Sequence, residues 1–449
     1  MRSSRWKKIV VFLLTFFSYA MFHVSRKSFS AIKSEMSKEE WMDSAFFPRT
    51  EQGKMYGLMD TLFMSFYGCG LYISGALGDR FDLRKLLGAG MIVTAMIMLL
   101  FGAAAFSGIH SLGVYAFLWA LNGLIQSVGW PANVAVMGNW FEKRERGAVM
   151  GLWSANASAG NILGTAVVAL MYIAIPDKTI AWKVAMTVVG VLLTLYGLLT
   201  LIFLKPEPHQ RKYVGFSDGD GVDMNTLLES NQSKRKGISF WHAWLIPGVI
   251  PYALSYACLK AVNYAMFFWL PFYLKTHLNM DDSTADLYSM LYDVGQIIGG
   301  FLGGYLTDRT GMRSPIVFAM LASATGMLHL FKSASRSGIT ILLLSSGFLL
   351  GGPANLISTA ISADLGTHES LRENTAALAT VTGIIDGTGS VGAAVVQYLV
   401  GYLANCHPVH GVIECSWDKV FVLLEVGGFL SCTCLLPLMW KETSRFLRK

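Results

Sequence analysis

Apolar runs recur along nearly the whole chain, each parted from the next by a polar or charged loop. A hydrocarbon core of ~30 Å takes roughly 20 helical residues to cross. Twelve runs meet that length, over about 7–33, 55–78, 86–107, 111–139, 147–172, 183–204, 244–275, 285–307, 314–333, 338–363, 374–402 and 418–440. The pattern predicts an all-α membrane protein of twelve transmembrane helices. Composition agrees: 53% of residues are hydrophobic and 14% charged, against about 25% charged in soluble domains.

The loops repeat. Gly75-Ala76-Leu77-Gly78-Asp79-Arg80-Phe81-Asp82-Leu83-Arg84 follows the second run, and Gly304-Tyr305-Leu306-Thr307-Asp308-Arg309-Thr310-Gly311-Met312-Arg313 follows the eighth. Pro131-Ala132-Asn133 in the fourth run returns as Pro353-Ala354-Asn355 in the tenth, and Gly160-x-x-x-Gly164 in the fifth sits opposite Gly389-x-x-Gly392 in the eleventh. A period this long is a duplicated bundle and not a solenoid. Two pseudo-symmetric six-helix bundles are expected, residues 1–204 and 244–449, joined by a linker over 205–243 rich in Gly, Ser, Pro and charge. The glycines read as close-packing faces between helices, or as room beside a central cavity. In the repeated loop each acid is followed by guanidinium groups that can pair with it and with neighbouring helix ends.

Charge distribution sets orientation. The side holding both termini collects 23 Lys and Arg residues and the other about 10, the latter offset by Glu35, Glu39, Glu40, Asp43 and Glu51. Both termini are expected to be cytoplasmic, and the net charge of +7 is explained by topology without nucleic-acid binding. The basic start and apolar core of 1–25 resemble a leader, but the segment lacks a small-residue cleavage site and runs into Arg26-Lys27, so it reads as the first helix. Cys69, Cys258, Cys432 and Cys434 fall in apolar helices and pack as small hydrophobes. Cys406 and Cys415 flank a polar loop on the opposite side, where a disulfide is open to them. Asn231-Gln232-Ser233 lies in the linker and is expected to be unglycosylated.

An ionisable group deep in a membrane span costs roughly 2.5–3.5 kcal/mol, so each is a functional candidate. Tyr19, His23 and Arg26 share one helical face at i, i+4 and i+7. Arg26-Lys27 either caps the exit of the first span or faces its interior. Lys260 is placed mid-span in the seventh run without a local acid, close to Asn263 and Tyr264, and is expected to face a polar cavity. Asp293 in the eighth run and Asp386 in the eleventh complete the set. An arginine fork with a lysine, tyrosine and asparagine suits a phosphate group, with a carboxylate ligand served nearly as well. Lys27 and Asp293 are expected to pair when the site is empty.

Tyr19-x-x-x-x-x-x-Arg26-Lys27, Gly129-Trp130-Pro131, Asn139-Trp140-Phe141 and Arg146-Gly147-x-x-x-x-x-Trp153 together resemble the organophosphate:phosphate antiporters of the major facilitator superfamily. Residues 240–274, 361–366 and 379–390 look most like the eukaryotic sugar-phosphate exchangers within that family. The resemblance implies the major facilitator fold and exchange of a sugar phosphate, such as glucose 6-phosphate, for inorganic phosphate by alternating access. It implies that Arg26 is the first-half phosphate ligand, with Tyr19 and His23 beside the substrate. It also implies that Asp79, Arg80, Arg84, Asp308, Arg309 and Arg313 are a conformational latch and not ligand contacts. The chain departs from the bacterial pattern in three places. The second phosphate-binding cation aligns with Asn263, with Lys260 one turn earlier; the histidine after Trp153 is absent, leaving Asn156, which hydrogen-bonds but does not titrate; and the usual lysine of the second helix is missing near Leu71.

No paired nucleophile and base and no metal-ligand cluster appears, so neither an enzyme nor a cofactor is expected. Two rivals stay open: a proton-coupled carrier of organic anions or polyanionic drugs using Asp293 or Asp386, and a transport-inactive membrane receptor or chaperone subunit. Expected partners are a small phosphorylated solute, inorganic phosphate, membrane lipid and an accessory membrane subunit, with no nucleic acid. The resemblance points to the endoplasmic reticulum membrane, whereas Asp223-Met-Asn-Thr-Leu227-Leu228 looks like an acidic dileucine signal for lysosomes.

Overall fold

A computed structural model describes residues 2–36, 52–141, 146–208, 236–280, 282–371, 375–404, 407–409, 412–414 and 416–448. Cys406, Cys415, Asn231 and the segment 223–228 lie outside the described residues. The crossings are α1 (Arg2–Met36), α2 (Gln52–Gly78), α3 (Leu83–Phe106), α4 (Leu112–Gln126 continued by Gly129–Trp140), α5 (Arg146–Trp153 continued by Asn156–Ala174) and α6 (Lys178–Phe203). They continue as α7 (Val249–Leu278), α8 (Asp282–Thr310), α9 (Arg313–Leu330), α10 (Ile339–Leu356 continued by Ser362–Leu365), α11 (Leu378–Leu403) and α12 (Asp418–Leu447).

Nine of these, among the described residues, are long and apolar enough to cross a membrane. The other three, α2, α7 and α8, are 27, 30 and 29 residues long, which suffices for the bilayer. They are less apolar because they carry side chains such as Asp60, Lys260, Asn263 and Asp293. Polarity is thus concentrated in helices that face the interior.

Two short ribbons add to the all-α expectation. β1 (Lys236–Gly237) runs parallel to β2 (Thr375–Ala376), and β3 (His407–Val409) pairs antiparallel with β4 (Val412–Glu414). The linker is therefore held at both described ends: Trp140 Nε1 and Asn139 Nδ2 donate to the carbonyls of Lys205 and Pro206 at 2.9 and 3.4 Å, and β1 pairs with the chain just ahead of α11.

In the first half α1 packs on α5 and α6, α3 on α6, and α2 on α4; in the second, α8 packs on α10, α7 on α11 and α12, and α9 on α12. The halves meet chiefly through α2 with α11 and α5 with α8. Glycine makes both contacts possible. A Cβ at Gly383 would lie 2.5 Å from the Leu71 carbonyl oxygen, and one at Gly151 would lie 2.4 Å from the Gly300 carbonyl oxygen. The paired Gly160 and Gly389 do the same within each half, against Ala20 and Tyr256, so the packing reading of these glycines is the one realised.

The repeated loops differ in what they hold. Asp79 accepts hydrogen bonds from the backbone N–H groups of Ala379 and Thr380, at 3.1 and 2.8 Å, and from the Thr380 hydroxyl at 2.6 Å. It caps the N-terminus of α11, where unpaired N–H groups and the helix dipole favour a carboxylate. Burial pushes the Asp79 carboxyl above the usual carboxylate range, against those hydrogen bonds and the nearby Arg80. Arg84 lies 3.9 Å from Asp82, the N-cap of α3, rather than with Asp79. In the second copy Arg313 donates to Asp308 at 3.0 Å and to Asp364 at 3.1 Å, all within the second half, and Arg309 reaches Tyr305 at 3.4 Å. The first copy fastens the halves together and the second braces its own half.

Replacing Gly383 by Val sets side-chain atoms against the Leu71 backbone and should part α2 from α11. In a background freed of native cysteines, a Ser358→Cys reporter in the interior should label several-fold faster with an impermeant thiol reagent added on the face that holds both termini. Unchanged labelling would count against the glycine seam as the closure.

Candidate functional site

A small polar cavity of about 60 Å³ lies between the halves. α1 contributes Tyr19 and His23, one turn apart; α7 contributes Lys260, Asn263 and Tyr264; and α11 contributes Asp386. Six of the residues expected from sequence are thereby brought together. Trp130, Asn161, Gln296 and Asn355 join them in the wall.

Arg26 stands immediately behind His23 and is only 1% exposed. Its Nε donates to Gln126 Oε1 at 2.7 Å, and Gln126 Nε2 in turn donates to Ser25 and Asn122 at 2.8 and 3.0 Å. The guanidinium carbon lies 4.5 Å from the centre of the Tyr67 ring, a cation–π contact. One terminal nitrogen, NH1, is 3.5 Å from both His23 Nε2 and the Tyr264 hydroxyl; the other, NH2, has no hydrogen-bond partner. Among the described residues Arg26 makes no ion pair. Neutral groups and aromatic faces hold this cation, and its charge is left for something else to balance.

Lys260 is differently placed. Although its sequence neighbourhood offers no acid, its ammonium donates to Asp386 Oδ1 at 2.6 Å and to Ser390 at 2.8 Å, with both ionic partners buried. α7 and α11 are pressed together at Gly389 and Gly392, where a Cβ would collide with Tyr256 and Ala257, and this brings lysine to aspartate. Asp386 Oδ2 also accepts from the Tyr67 hydroxyl at 3.5 Å. The sequence treats Lys260 as a cation open to ligand; the structure shows it neutralised in place.

Asp293 accepts from Asn161 Nδ2 at 2.9 Å and from Gln296 Nε2 at 3.4 Å, and Lys27 acts on it electrostatically. Asn263 donates to Gln296 at 3.3 Å and accepts from the Tyr292 hydroxyl at 2.6 Å. Asn156 is fully buried but does not line the cavity, and neither end of its amide has a partner.

Sequence reading passed over two features. One is Asn161, hidden between Gly160 and Gly164; the signal was a polar side chain on a face whose glycines press α5 onto α1. The other is the buried pair Lys33 and Asp60, 2.6 Å apart, where Lys33 falls two turns beyond Arg26 on the same face. Asp60 falls near the start of the second run, 55–78, and Lys33 closes the first, positions where a charge does not stand out. Among the described residues no group of three or more His, Cys, Asp or Glu side chains is placed to hold a metal ion.

Twelve crossings with an internal repeat, a polar cavity between the halves and cations beside it define a membrane transporter rather than an enzyme, and the comparisons agree. The model of the Major Facilitator Superfamily matches residues 11–397 and 273–445. Sugar phosphate exchanger 3 of Homo sapiens is 42% identical over 97% of this chain and 93% of that protein. The glucose-6-phosphate exchanger SLC37A2 of Danio rerio is 35% identical, over 97% and 93%. Among solved structures, the proton:xylose symporter XylE superposes with a TM-score of 0.68 at 13% identity, covering 98% of this chain and 96% of that one. The chain belongs to the Major Facilitator Superfamily, in the group formed by these exchangers.

Removing one partner of a buried ion pair strands the other, at a cost of about 3–5 kcal/mol, whereas replacing both with apolar groups is nearly neutral. Lys260→Met should therefore lower the unfolding temperature in detergent strongly, and adding Asp386→Leu should restore most of it. A double variant weaker than either single one would contradict the pairing.

Proposed function

We propose that the protein exchanges a phosphorylated sugar, such as glucose 6-phosphate, for inorganic phosphate, with Arg26 taking the phosphate. One observation carries this: a fully buried guanidinium with an unpartnered NH2 and no acid to balance it, outside the cavity wall itself but directly behind His23 and Tyr264, which line it. Guanidinium suits phosphate because its planar donors match two oxygens at once. The names of the relatives, sugar phosphate exchanger and glucose-6-phosphate exchanger, supply the substrate class.

In this reading Tyr19, His23, Asn263 and Tyr264 orient the solute. Lys260 shares its charge between Asp386 and the bound anion. Residues 1–204 and 244–449 move as two units about the cavity, with the Asp79 cap on α11 as the contact that opens and closes on the side of the termini. Exchange follows from charge. The empty carrier keeps Arg26 unneutralised in a low-dielectric interior, while an anion removes that burden, so the loaded form reorients faster. The excess of Lys and Arg on the face of the termini supports a cytoplasmic location for both ends; an endoplasmic reticulum or lysosomal membrane is proposed from the resemblance and from the acidic dileucine pattern in the sequence at 223–228.

Counterflow in proteoliposomes preloaded with phosphate tests the reading. Labelled phosphate should enter against internal phosphate or glucose 6-phosphate and fail to enter vesicles without either. A charge-assisted hydrogen bond is worth about 1.5–3 kcal/mol, so Arg26→Ala should cut counterflow by about tenfold or more, with Arg26→Lys retaining part of it. Full counterflow in Arg26→Ala would overturn the assignment.

A further inference from the structure

The chain of amides behind the cavity fixes the protonation pattern of His23. An ionised carboxylate only accepts hydrogen bonds. Asp293 Oδ1 receives Asn161 Nδ2 at 2.9 Å, with Gln296 Nε2 a second donor at 3.4 Å. The orientation of the Asn161 amide is thereby set, and its Oδ1 faces His23 Nδ1 at 3.0 Å. An amide oxygen carries no proton, so the hydrogen of that bond sits on Nδ1.

Arg26 settles the other nitrogen. Its NH1 stands 3.5 Å from His23 Nε2, and a proton there would set N–H against N–H and one cation against another. Nε2 is consequently an unprotonated lone pair, approached by Arg26 NH1 only at 3.5 Å, longer than a firm hydrogen bond, so that a closer donor can displace that contact. His23 forms part of the cavity wall, beside a guanidinium whose NH2 has no partner. Two other acceptors of the wall are engaged: Asp386 holds Lys260 at 2.6 Å and Tyr67 at 3.5 Å, and Asn263 Oδ1 holds Tyr292 at 2.6 Å.

We propose that His23 Nε2 is a specificity-determining acceptor, held in that state by Asn161 and Asp293 as positioning residues, which selects anions bringing a donor hydrogen of their own. Inorganic phosphate brings a P–OH and a sugar phosphate brings hydroxyls. Sulfate, of the same shape, brings only acceptors near neutral pH and meets a lone pair with lone pairs. A site built to receive a hydrogen rejects the analogue that lacks it. The Asn161 to Asp293 bond also joins α5 to α8, so the acceptor is set only while the halves are in contact there. This inference rests on the reading of Arg26 as the anion ligand.

The test uses the purified full-length protein. Displacement of labelled inorganic phosphate by unlabelled phosphate and by sulfate gives the selectivity, and ¹⁵N spectra of histidine-labelled protein give the tautomer, with His23→Gln identifying the signal. One lost hydrogen bond is worth about tenfold, so sulfate should bind at least that much more weakly than phosphate. The His23 signal should be that of an Nδ1–H imidazole. Asn161→Leu should bring the phosphate-to-sulfate ratio close to one and move the signal away from pure Nδ1–H, changes that a role confined to packing would not produce. Equal binding of sulfate by the unaltered protein overturns the proposal, as does an Nε2–H or doubly protonated His23, or an unchanged ratio in folded Asn161→Leu. Should that variant fail to fold, the ratio and spectrum of the unaltered protein decide. Absence of saturable phosphate binding overturns the functional reading together with this one, whereas binding without discrimination overturns this one alone.

Discussion

A charge inside a hydrocarbon layer must be balanced by a neighbour or be put to use, and the interior of this protein is arranged around that constraint. Lys33 lies against Asp60 and Lys260 against Asp386, each at 2.6 Å, and Lys27 sits in the field of Asp293. Arg26 is the exception among these cations, held by an amide and aromatic rings that carry no net charge. The two ion-paired cations need nothing from outside, and their partners tie α1 to α2 and α7 to α11; Lys27 feels Asp293 from across the halves. The fourth leaves the first half with a positive centre that a solute can complete.

The internal duplication frames this arrangement, and function resides where the duplication has lapsed. Pro131-Ala132-Asn133 and its echo illustrate it: Asn133 is occupied by Ser18 and the Gly129 carbonyl, while Asn355 borders the cavity. The acid-arginine loops diverge likewise, one reaching across to α11 and the other closing on α8, α9 and α10. Among the described residues, the two copies of the loop thus hold different elements.

Much of this was legible in the sequence because hydrophobic length and repeated loops are local patterns. The twelve crossings and the cavity-facing set of Tyr19, His23, Lys260, Asn263, Tyr264 and Asp386 are visible as residue types at helical spacing. Partner choice was not. Lys260 and Asp386 are 126 positions apart and meet because glycines let two helices touch, a tertiary fact with no local trace. Asn161 and the Lys33 to Asp60 pair were missed for the same reason: one looked like part of a packing motif, the other like the edge of the membrane. The breaks in α4 and α5, and the wider turn at Ile357–Ile361 in α10, do carry Gly, Pro, Ser and Asn nearby, at Ser127 to Pro131, Ser154 to Asn156 and Gly351 to Asn355, but such residues sit equally well inside continuous membrane helices, so they do not locate a break.

That wider turn has a consequence of its own. Backbone hydrogen bonding in α10 changes register at Ile357–Ile361, and the carbonyl of Ser358 accepts from Trp130 Nε1 of the opposite half at 3.2 Å. The bond joins two neutral groups shielded from solvent, so ionic strength and acidity leave it untouched, unlike a surface ion pair. A contact of this kind between the halves is indifferent to acidity, unlike the Asp79 carboxylate cap on α11, which protonation weakens.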